Sequence, residues 1–522
     1  MIFRSPYPDV EIPNVSLADF VLRHAERLAD KPALIDAASG RSLTYGQLAG
    51  GIRGVAAGLW ERGLRKGDVV GIFAPNDPDY AIALYAVASA GGIVTTVNPQ
   101  VTAEELARQL DDSRARFLVT TPDLLCRARE AAGSMVQEIV VMGEAEGAIS
   151  LSALGGTKAA VPSVPIDPFL DTVVLPYSSG TTGLPKGVML THRNLVANVC
   201  QVSVPQAGDE TEIVFAVPPF YHIYGTLLLD LALANGWTLL TLPRFDLASF
   251  LRALQDYRVT RASVAPPVVL ALANEPIVEG FNLSSLRFIL SGGAPLDHVL
   301  IRRCEARLGC LVAQGFGMTE ASPATHVQAP DGNVAKRGSV GPCVPNTECK
   351  VVDFDSGAEL GPGEQGELWV RGPQVMKGYL NRPDATAQII TPDGWLRTGD
   401  LVCLDDDGYL FVVDRLKELI KYKGYQVAPA ELEAVLLTHP AVADAAVVPS
   451  PDEEAGEVPK AFVVLRKPST ADDLIAYVAA RVAPYKKVRR LEITDQIPKS
   501  PSGKILRRVL VERERAAALV PA

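Results

Sequence analysis

The chain has 522 residues, of which 48% are hydrophobic and 21% are charged, and its formal net charge at pH 7 is −10. This length exceeds what one ordinary hydrophobic core accommodates and predicts at least two domains, while the composition is typical of a soluble globular protein. The acidic balance gives no support for nucleic-acid binding, which usually requires a basic face.

No segment of the sequence predicts a membrane span or an export signal. The first six residues, Met-Ile-Phe-Arg-Ser-Pro, lack an apolar h-region, and no later window contains about 20 uninterrupted apolar residues. The final Val-Pro-Ala is not a peroxisomal address. We therefore expect a cytoplasmic enzyme, and the sequence leaves open whether it is a monomer or a homodimer.

The cysteines are odd in number and scattered along the chain. They stand at positions 126, 200, 304, 310, 343, 349 and 403, without any C-x-x-C spacing. This pattern favours free, buried thiols over disulfides or a zinc site.

The segment before residue 150 alternates predicted helices with predicted strands. Two helices begin at capping boxes, Thr44-x-x-Gln47 and Thr102-x-x-Glu105. Apolar spacing predicts further helices over residues 16–28 and 80–90. The predicted strands are residues 69–73, 92–97, 117–120 and 138–142. Such alternation predicts an α/β fold with a doubly wound parallel sheet and helices on both faces.

Residues 177–187 form a glycine- and hydroxyl-rich segment, Tyr-Ser-Ser-Gly-Thr-Thr-Gly-Leu-Pro-Lys-Gly, after a predicted buried strand at 172–175. The glycines let backbone N–H groups approach an anion closely, while the hydroxyls and Lys186 add donors and a positive charge. The spacing G-x-x-x-x-G-K-[ST] of P-loop NTPases is absent. A flexible turn uses the same residue types, but the density of donors favours a phosphate-binding loop.

Two further strands end in segments suited to a ligand. The predicted strand 213–217 runs into Pro-Pro-Phe-Tyr-His-Ile-Tyr-Gly, which leaves aromatic groups at a strand's carboxyl end, where open α/β sheets bind ligands. The predicted strand 286–290 runs into Ser-Gly-Gly-Ala-Pro-Leu, whose small residues allow a flat ligand to lie against the backbone. The alternatives are a histidine that caps a helix or fills the core at His222, and close helix packing at the glycines.

Residues 178–187, continued by Val-Met-Leu-Thr-His-Arg-Asn, resemble the AMP-binding loop of adenylate-forming enzymes, which include acyl-CoA synthetases, aryl-CoA ligases, luciferases and peptide-synthetase adenylation domains. The resemblance extends over nearly the whole chain. Its further motifs are Gln-Gly-Phe-Gly-Met-Thr-Glu at 314–320, Gly-Trp-Leu-Arg-Thr-Gly-Asp at 394–400 and Pro-Ser-Gly-Lys-Ile-Leu at 501–506. The most specific matches are to the branch of bacterial 4-coumarate:CoA ligases and acyl-CoA synthetases.

This resemblance implies two domains. The first is a large N-terminal AMP-binding domain, residues 1–414, with doubly wound mixed sheets, and the second is a small α+β C-terminal lid domain, residues 415–522. The lid has predicted helices at 429–438 and 471–482 and predicted strands at 445–448 and 461–465. Lys417 matches the residue about which the lid rotates in relatives.

The resemblance also implies ATP, Mg²⁺ and coenzyme A as cofactors or cosubstrates. Phe316 matches the aromatic residue that stacks on adenine, Asp400 matches the carboxylate that accepts both ribose hydroxyls, and Glu320 matches a ligand of Mg²⁺. The full set of implied nucleotide- and CoA-binding residues is Ser178, Ser179, Gly180, Thr181, Thr182, Lys186, Gly293, Gln314, Gly315, Phe316, Thr319, Asp400, Arg415, Lys423 and Gly424.

Catalytic roles follow from the same matches. Lys504 matches the lysine that enters the site for adenylation, and Lys421 lies in the loop that enters for thioester formation; Lys417 and His222 complete the catalytic set. The implied acid pocket consists of His222, Ile223, Tyr224, Leu228, Leu290, Gly293, Gly315, Pro323 and Ala324. A basic run at Lys486, Lys487, Arg489 and Arg490 has no such match, and we expect it to be a solvated face.

The implied activity is ligation of a small carboxylic acid, 4-coumarate or a related hydroxycinnamate, to CoA through an acyl-AMP. Gly293 and Ala324 stand where plant relatives commonly have alanine and valine, which leaves room for bulkier ring substituents or for medium-chain fatty acids. A medium-chain fatty acyl-CoA synthetase is therefore the alternative. A luciferase-like oxidase, an enzyme that loads a carrier protein and a non-catalytic acyl- or nucleotide-binding scaffold are further readings.

Overall fold

The structure is a computed structural model. It describes residues 1–157, 163–178, 185–294, 296–330, 336, 338–415, 418–422, 425–452, 455–500 and 503–518. The mixed α/β architecture comprises two large mixed sheets and a third, antiparallel sheet in the N-terminal part, followed by a smaller α+β unit.

The first sheet has a parallel centre and an antiparallel edge. Its strands run in the order Tyr177–Ser178, Lys186–Thr191, Thr172–Val174, Ile93–Val97, Val69–Phe73, Ala115–Thr120, Glu138–Val141 and Ile149–Ser150, and Gly378–Tyr379 pairs with Lys186–Thr191. The antiparallel pairs are those that Lys186–Thr191 makes with its three neighbours. The strands Tyr177–Ser178 and Lys186–Thr191 flank the predicted phosphate loop, and we call them the phosphate-loop hairpin. This hairpin is therefore attached to the edge of a parallel sheet.

The second sheet is parallel except at its two ends. Its order is Ala324–Val327, Leu311–Gly317, Phe288–Ser291, Arg261–Val264, Ile213–Ala216, Thr238–Thr241, Pro32–Asp36 and Ser42–Thr44. Parallel strands present their carboxyl ends at one edge of the sheet. The segments that follow Ala216, Val264, Ser291 and Gly317 therefore meet at that edge.

A hydrophobic core joins the two sheets. Val70 and Val94 of the first sheet cluster with Val214 and Leu239 of the second. Helices that contribute to this core are Leu17–Val21, Tyr45–Glu61, Pro78–Ser89, Leu151–Gly155, His192–Ser203 and Ile223–Ala234. The helix Pro78–Ser89 is apolar on nearly all sides, as expected for a fully buried helix.

Other helices cover the outer faces. Leu247–Asp256, Pro266–Asn274 and His298–Leu308 pack on the second sheet. Ala103–Ser113 and Leu125–Ala131 pack on the first. The predicted doubly wound fold with mixed sheets is thus confirmed. Among the helices of the described ranges, none combines the length and apolar character needed to cross a membrane.

The antiparallel third sheet was not predicted. It runs in the order Phe3–Arg4, Glu348–Val352, Gln365–Arg371, Leu396–Leu404 and Leu410–Arg415, and the helix Pro383–Ile389 lies in the connection before Leu396. The strand Leu410–Arg415 pairs with Leu396–Leu404, with Arg415 opposite Asp400. The predicted boundary after residue 414 thus falls within the last strand of this sheet.

The C-terminal unit confirms the predicted α+β pattern. Its sheet runs Tyr425–Val427, Ile420–Tyr422, Gly456–Leu465 and Val442–Asp452, and Arg490–Ile493 adds to Gly456–Leu465 in parallel. Its helices are Pro429–Leu437, Ala471–Ala479 and Arg507–Ala518.

Local predictions near the N-terminus had mixed outcomes. Both capping boxes are present, at Thr44 with Gln47 and at Thr102 with Glu105. The predicted helix over residues 16–28 is wrong beyond Val21, because the N–H groups of Arg23 and Ala25 bond three residues back, to Phe20 and Leu22. The following segment is held by tertiary contacts, among them an ion pair of Arg27 with Glu210. Apolar periodicity therefore overestimates the length of this helix.

Candidate active site

The phosphate-loop hairpin is described on both sides of its turn. Ser178 and Lys186 lie opposite each other in antiparallel strands, so the two ends of the loop are adjacent. The Lys186 ammonium lies 5.0 Å from the centroid of the Tyr379 ring. The predicted ligands Ser179, Gly180, Thr181 and Thr182 lie outside the described residues. The loop therefore begins and ends beside a positive charge.

Glu320 is the buried acidic group nearest to this hairpin's described residues. The side chain is 6% exposed, and its Oε1 accepts hydrogen bonds from Ser178 Oγ at 3.0 Å and from Tyr379 OH at 2.7 Å. It lies in a single 3₁₀ turn, Thr319–Ala321, with the predicted phosphate ligand Thr319. Burial and the nearby Glu320 carboxylate raise the pKa of Tyr379 well above its ordinary value, so the phenol remains a donor.

Tyr379 was missed by the sequence analysis. It lies far along the chain from both partners, in the short strand Gly378–Tyr379 that pairs with Lys186–Thr191. This long-range strand pairing and a hydrogen bond from the Met376 N–H to the Glu320 carbonyl at 2.8 Å bring its hydroxyl to Glu320. No local pattern around Tyr379 indicates that contact.

The small-residue segment after Phe288–Ser291 forms an open floor. A Cβ on Gly293, which has φ +88°, would meet nothing within 4 Å, whereas a Cβ on Gly292 would lie 3.1 Å from the Tyr224 ring. Next to this segment, Gln314, Gly315 and Phe316 lie in the strand Leu311–Gly317. The structure therefore supports both the predicted flat platform and, at Gly292, the alternative of close packing.

Two buried polar atoms at this floor have no hydrogen-bond partner among the described residues. Ser291 and Gln314 lie opposite each other in neighbouring parallel strands, and Ser291 Oγ and Gln314 Nε2 are both unpartnered. The other amide atom, Gln314 Oε1, accepts from the Leu296 N–H at 2.9 Å. Because buried polar groups are almost always hydrogen-bonded, these two atoms mark a position where a ligand or water would satisfy them.

His222 both caps a helix and faces the lid. Its Nδ1 accepts a hydrogen bond from the Tyr224 N–H at 3.2 Å at the start of the helix Ile223–Ala234, so the ring proton is on Nε2. Burial and the charge of Lys504 lower the pKa of His222 to about 4. The cap alternative is thus correct as local geometry, and the same side chain lies within electrostatic reach of Lys504.

The remaining predicted pocket residues pack around this helix start. Tyr224 OH donates to the Leu290 carbonyl at 3.3 Å. Ile223, Leu228, Leu290 and Ala324 are all buried in the core that joins the two sheets. The Pro323 carbonyl accepts from the Met318 N–H at 3.0 Å, which places Pro323 against the end of the Gly315 strand.

The lid contacts the N-terminal part through the Lys504 loop. A Cβ on Gly503, which has φ +82°, would lie 3.1 Å from Pro267 Cδ, just after the strand Arg261–Val264. Within the loop, Ser500 N–H donates to the Lys504 carbonyl at 2.8 Å and Lys504 N–H donates to Ser500 Oγ at 3.1 Å. These two bonds join Ser500 to Lys504, and the contact of Gly503 with Pro267 places this part of the lid beside the carboxyl edge of the second sheet.

Other predicted site residues lie at the hinge or in the lid. Asp400 is 4% exposed and is paired in register with Arg415. Lys421 is exposed in the strand Ile420–Tyr422, and its N–H donates to Glu457 at 2.8 Å. Lys417, Lys423 and Gly424 lie outside the described residues. The structure thus brings Lys504, and not Lys421, toward His222.

A buried cluster of His326, Cys343 and Cys349 adjoins the Gly315 strand. One ligand atom of each lies within 4.8 Å of the others. A hydrogen bond to Cys343 together with burial raises the pKa of Cys349 well above its ordinary value, and burial lowers the pKa of His326 to about 3. Cys343 and Cys349 are buried free thiols, as predicted, whereas Cys126 is exposed.

Comparison with known proteins adds family models and full-length relatives. A model described as "AMP-binding enzyme" matches residues 21–380, and one described as "AMP-binding enzyme C-terminal domain" matches residues 431–504. The chain is 42% identical to 4-coumarate–CoA ligase 5 of Oryza sativa subsp. japonica, over 100% of this chain and 98% of that protein. It is 42% identical to 4-coumarate–CoA ligase 2 of Petroselinum crispum, over 98% and 96% of the two chains.

Solved structures agree in fold over almost the whole length. An anthranilate CoA ligase in complex with anthranoyl-AMP superposes with a TM-score of 0.89 at 27% identity, covering 98% of this chain and 99% of that one. The o-succinylbenzoate CoA synthetase of Bacillus subtilis, in complex with its acyl-adenylate intermediate, superposes with a TM-score of 0.83 at 30% identity, covering 95% and 98%.

Proposed function

The chain belongs to the AMP-binding enzyme family and is an ATP-dependent acid:CoA ligase, and we propose that it activates 4-coumarate or a related hydroxycinnamate. The identity of 42% to 4-coumarate–CoA ligases over essentially the full chain carries this proposal. Those relatives do not favour the alternative of a medium-chain fatty acyl-CoA synthetase. The arrangement of Lys504 near His222 supports catalysis over a purely binding scaffold.

The reaction proceeds in two halves. A carboxylate oxygen of the acid forms a bond to the α-phosphorus of ATP while the bond to the β-phosphate oxygen breaks, which gives acyl-AMP and pyrophosphate. The CoA sulfur, after losing its proton, then bonds to the acyl carbon while the bond to the AMP oxygen breaks, which gives the thioester and AMP. Both half-reactions bring negatively charged groups together, namely the carboxylate or the thiolate and the phosphates. Positioning and electrostatic stabilisation therefore account for the catalysis.

We assign Lys504 to the first half-reaction. Its ammonium enters the site from the lid and bridges the substrate carboxylate and the α-phosphate, since each is an anion that repels the other. His222 stays neutral above pH of about 4, and its Nδ1 is occupied by the Tyr224 N–H. Its Nε2–H is therefore a donor that orients the carboxylate without adding a second positive charge.

The nucleotide lies along the edge where the strands of the second sheet end. The open floor at Gly293 and the aromatic ring of Phe316 suit a flat adenine, and the unpartnered Ser291 Oγ and Gln314 Nε2 suit a ligand that brings polar atoms. Asp400, with Arg415 beside it, accepts the ribose hydroxyls. The loop from Ser178 to Lys186 and Thr319 hold the phosphates.

The residues around Glu320 fit Mg²⁺. A buried carboxylate with a serine hydroxyl at 3.0 Å is an all-oxygen donor set of the kind that this hard cation prefers. Glu320 and Ser178 would hold the ion. When bound, Mg²⁺ neutralises charge on the departing pyrophosphate.

We assign the second half-reaction to a rotated lid. The domains are residues 1–414 and 415–522, with rotation about Lys417, and rotation withdraws Lys504 and presents Lys421, Lys423 and Gly424 to CoA. Lys421 is exposed in the present lid orientation, and the proposed rotation would bring it to the site.

The proposed acid specificity is tested with a substrate panel. Pyrophosphate release is measured with ATP, Mg²⁺ and a series of cinnamates and alkyl acids, with and without CoA. CoA-dependent turnover on 4-coumarate, caffeate or cinnamate is the expected result. Turnover on alkyl acids alone would overturn the substrate proposal, and ATP binding without pyrophosphate release on any acid would support the scaffold instead.

A further inference from the structure

Arg507 lies at the centre of a largely buried ion-pair network in the lid. Its Nη2 donates to Glu433 Oε2 at 2.6 Å and Oε1 at 2.8 Å, its Nη1 donates to Glu418 Oε2 at 2.6 Å, and its Nε donates to the Val447 carbonyl at 3.3 Å. The side chains of Arg507, Glu418 and Glu433 are 14%, 17% and 9% exposed. Burial acts to lower the pKa of Arg507, but the surrounding carboxylates outweigh it and raise the pKa.

This arginine is the residue that ends the Lys504 loop. It opens the helix Arg507–Ala518, three positions after Lys504. The residue before it, Leu506, donates its N–H to the Pro498 carbonyl at 2.8 Å, which closes the turn that carries Lys504. The base of the turn thus has two fixed points, the Leu506 backbone bond and the Arg507 guanidinium.

The carboxylates that hold Arg507 come from the hinge and from the helix docked on the other domain. Glu418 follows the predicted hinge residue Lys417 directly in the sequence. Glu433 lies in the helix Pro429–Leu437, where the Ala430 N–H donates to Asp414 of the third sheet at 3.0 Å. Arg507 therefore links the base of the Lys504 loop to both elements that set the orientation of the lid.

We propose that Arg507 is a positioning residue for the first half-reaction, which fixes the Lys504 loop to the hinge through Glu418 and to the docked helix through Glu433. This inference rests on the proposed function. The side chain does not touch substrate; it acts by holding the lysine where the acid and the α-phosphate meet. A small displacement of such a group is costly, because near-attack geometry is lost.

Arginine suits this task better than lysine. Its Nη2 contacts both oxygens of Glu433 while its Nη1 contacts Glu418, and the planar guanidinium fixes these two nitrogens relative to each other, whereas an ammonium is a single point charge on a flexible stem. Lysine at 507 would keep the buried charge and so avoid the penalty of leaving Glu433 unpaired. The neighbouring Arg508, whose side chain is 77% exposed and which pairs with Glu512 four residues on, supplies the matched control.

The test compares R507K with R508K in separate half-reactions. R507K is expected to lower the rate of pyrophosphate release from 4-coumarate and ATP by about 10- to 100-fold. It should leave the KM for ATP and the thioester formation from supplied coumaroyl-AMP nearly unchanged. R508K should change neither rate by more than about twofold, as is usual for an exposed surface substitution. E418Q should lower adenylation less than R507K, because Glu433 still holds the guanidinium.

A double-mutant cycle decides whether the effect passes through Lys504. In the K504A background, R507K should produce no further loss of pyrophosphate release, since the positioned group is already absent. A further loss there, an equal loss in both half-reactions, or no loss at all would each overturn the proposal. If the wild-type protein forms no acyl-AMP from any acid, the proposed function fails instead, which is a separate outcome.

Discussion

His222 and Lys504 come from different parts of the fold and meet electrostatically at one site. Burial of the imidazole and the charge of Lys504 together lower the pKa of His222 to about 4. The lysine is carried by the loop that contacts Pro267, and the histidine caps the helix Ile223–Ala234. The lid orientation in this structure therefore matches the one that we propose for the first half-reaction.

Removal of the Lys504 charge should separate the two half-reactions. K504A is expected to lower pyrophosphate release from acid and ATP by about 100-fold or more, as for loss of one transition-state donor. Thioester formation from supplied acyl-AMP should be retained. Loss of both activities would contradict the assignment of different lid faces to the two halves.

The same substitution should be visible in the titration of His222. Because the lysine charge disfavours a second cation, K504M is expected to raise the pKa of His222 above about 4, although burial still keeps it below its ordinary value. The imidazole signals in proton NMR, assigned with His222→Gln, give this measurement. An unchanged pKa would show that the two groups do not interact in solution.

Tyr379 should support the metal and phosphate side of the site. Y379F removes the donor that lies 2.7 Å from Glu320 Oε1. We expect the KM for MgATP to rise by about 2- to 10-fold, the range of one net hydrogen bond. The control is Y257F, which alters a tyrosine that follows the helix Leu247–Asp256 on the outer face of the second sheet. Equal effects of the two substitutions would refute the role of Tyr379.

Asp230 should make stability fall as the pH rises. Burial raises its pKa from the ordinary 3.8 to about 7, against a hydrogen bond from Tyr85 OH at 2.6 Å. Between these two pH values the unfolded chain releases the proton while the folded chain keeps it. The free energy of unfolding therefore decreases as the pH rises through that range.

The variant D230N should flatten that slope. Chemical denaturation from pH 4 to pH 8 is expected to show a smaller decrease for D230N than for the wild type, by about 2–4 kcal/mol. The exposed Asp472 supplies the control D472N, which should keep the wild-type slope. A wild-type-like slope in D230N would mean that Asp230 is ionised in the folded protein.

The width of the acid pocket should depend on Ala324. It is 7% exposed, and its N–H is fixed by Asn198 at 3.0 Å, so an added side chain cannot move away freely. A324V is expected to reduce kcat/KM for cinnamates with bulky ring substituents by about tenfold relative to 4-coumarate. Competition between the two acids measures this ratio directly, and an unchanged ratio would remove Ala324 from the pocket wall.

Much of the fold could be predicted because its signals are local. The capping boxes at Thr44 and Thr102 fixed two helix starts, and the alternation of apolar runs with helices indicated the parallel sheets. The helix predicted over residues 16–28 ends at Val21, because apolar periodicity does not locate helix ends reliably. The third sheet was missed because its strands are antiparallel. The segments that connect them do not show the alternation of strands with helices that indicated the parallel sheets.

The site residues likewise fall into those that local sequence predicts and those that depend on long-range contacts. Glycine-rich and Gln-Gly-Phe-Gly-Met-Thr-Glu segments could be recognised because each is continuous in sequence, and the structure brings Gln314 opposite Ser291 at a strand end. Tyr379 and the link from Arg507 to Glu418 could not be predicted, since each depends on contacts between distant segments. The orientation of the lid is likewise a property of docking rather than of local sequence.

The most direct test of the account follows the oxygen atoms of the acid. 4-Coumarate labelled with heavy oxygen in its carboxylate is turned over with ATP and CoA, and the phosphate products are analysed by mass spectrometry. Formation of an acyl-AMP predicts that AMP carries one labelled oxygen and pyrophosphate carries none. Unlabelled AMP, or label in inorganic phosphate together with ADP, would contradict an acyl-adenylate mechanism for this protein.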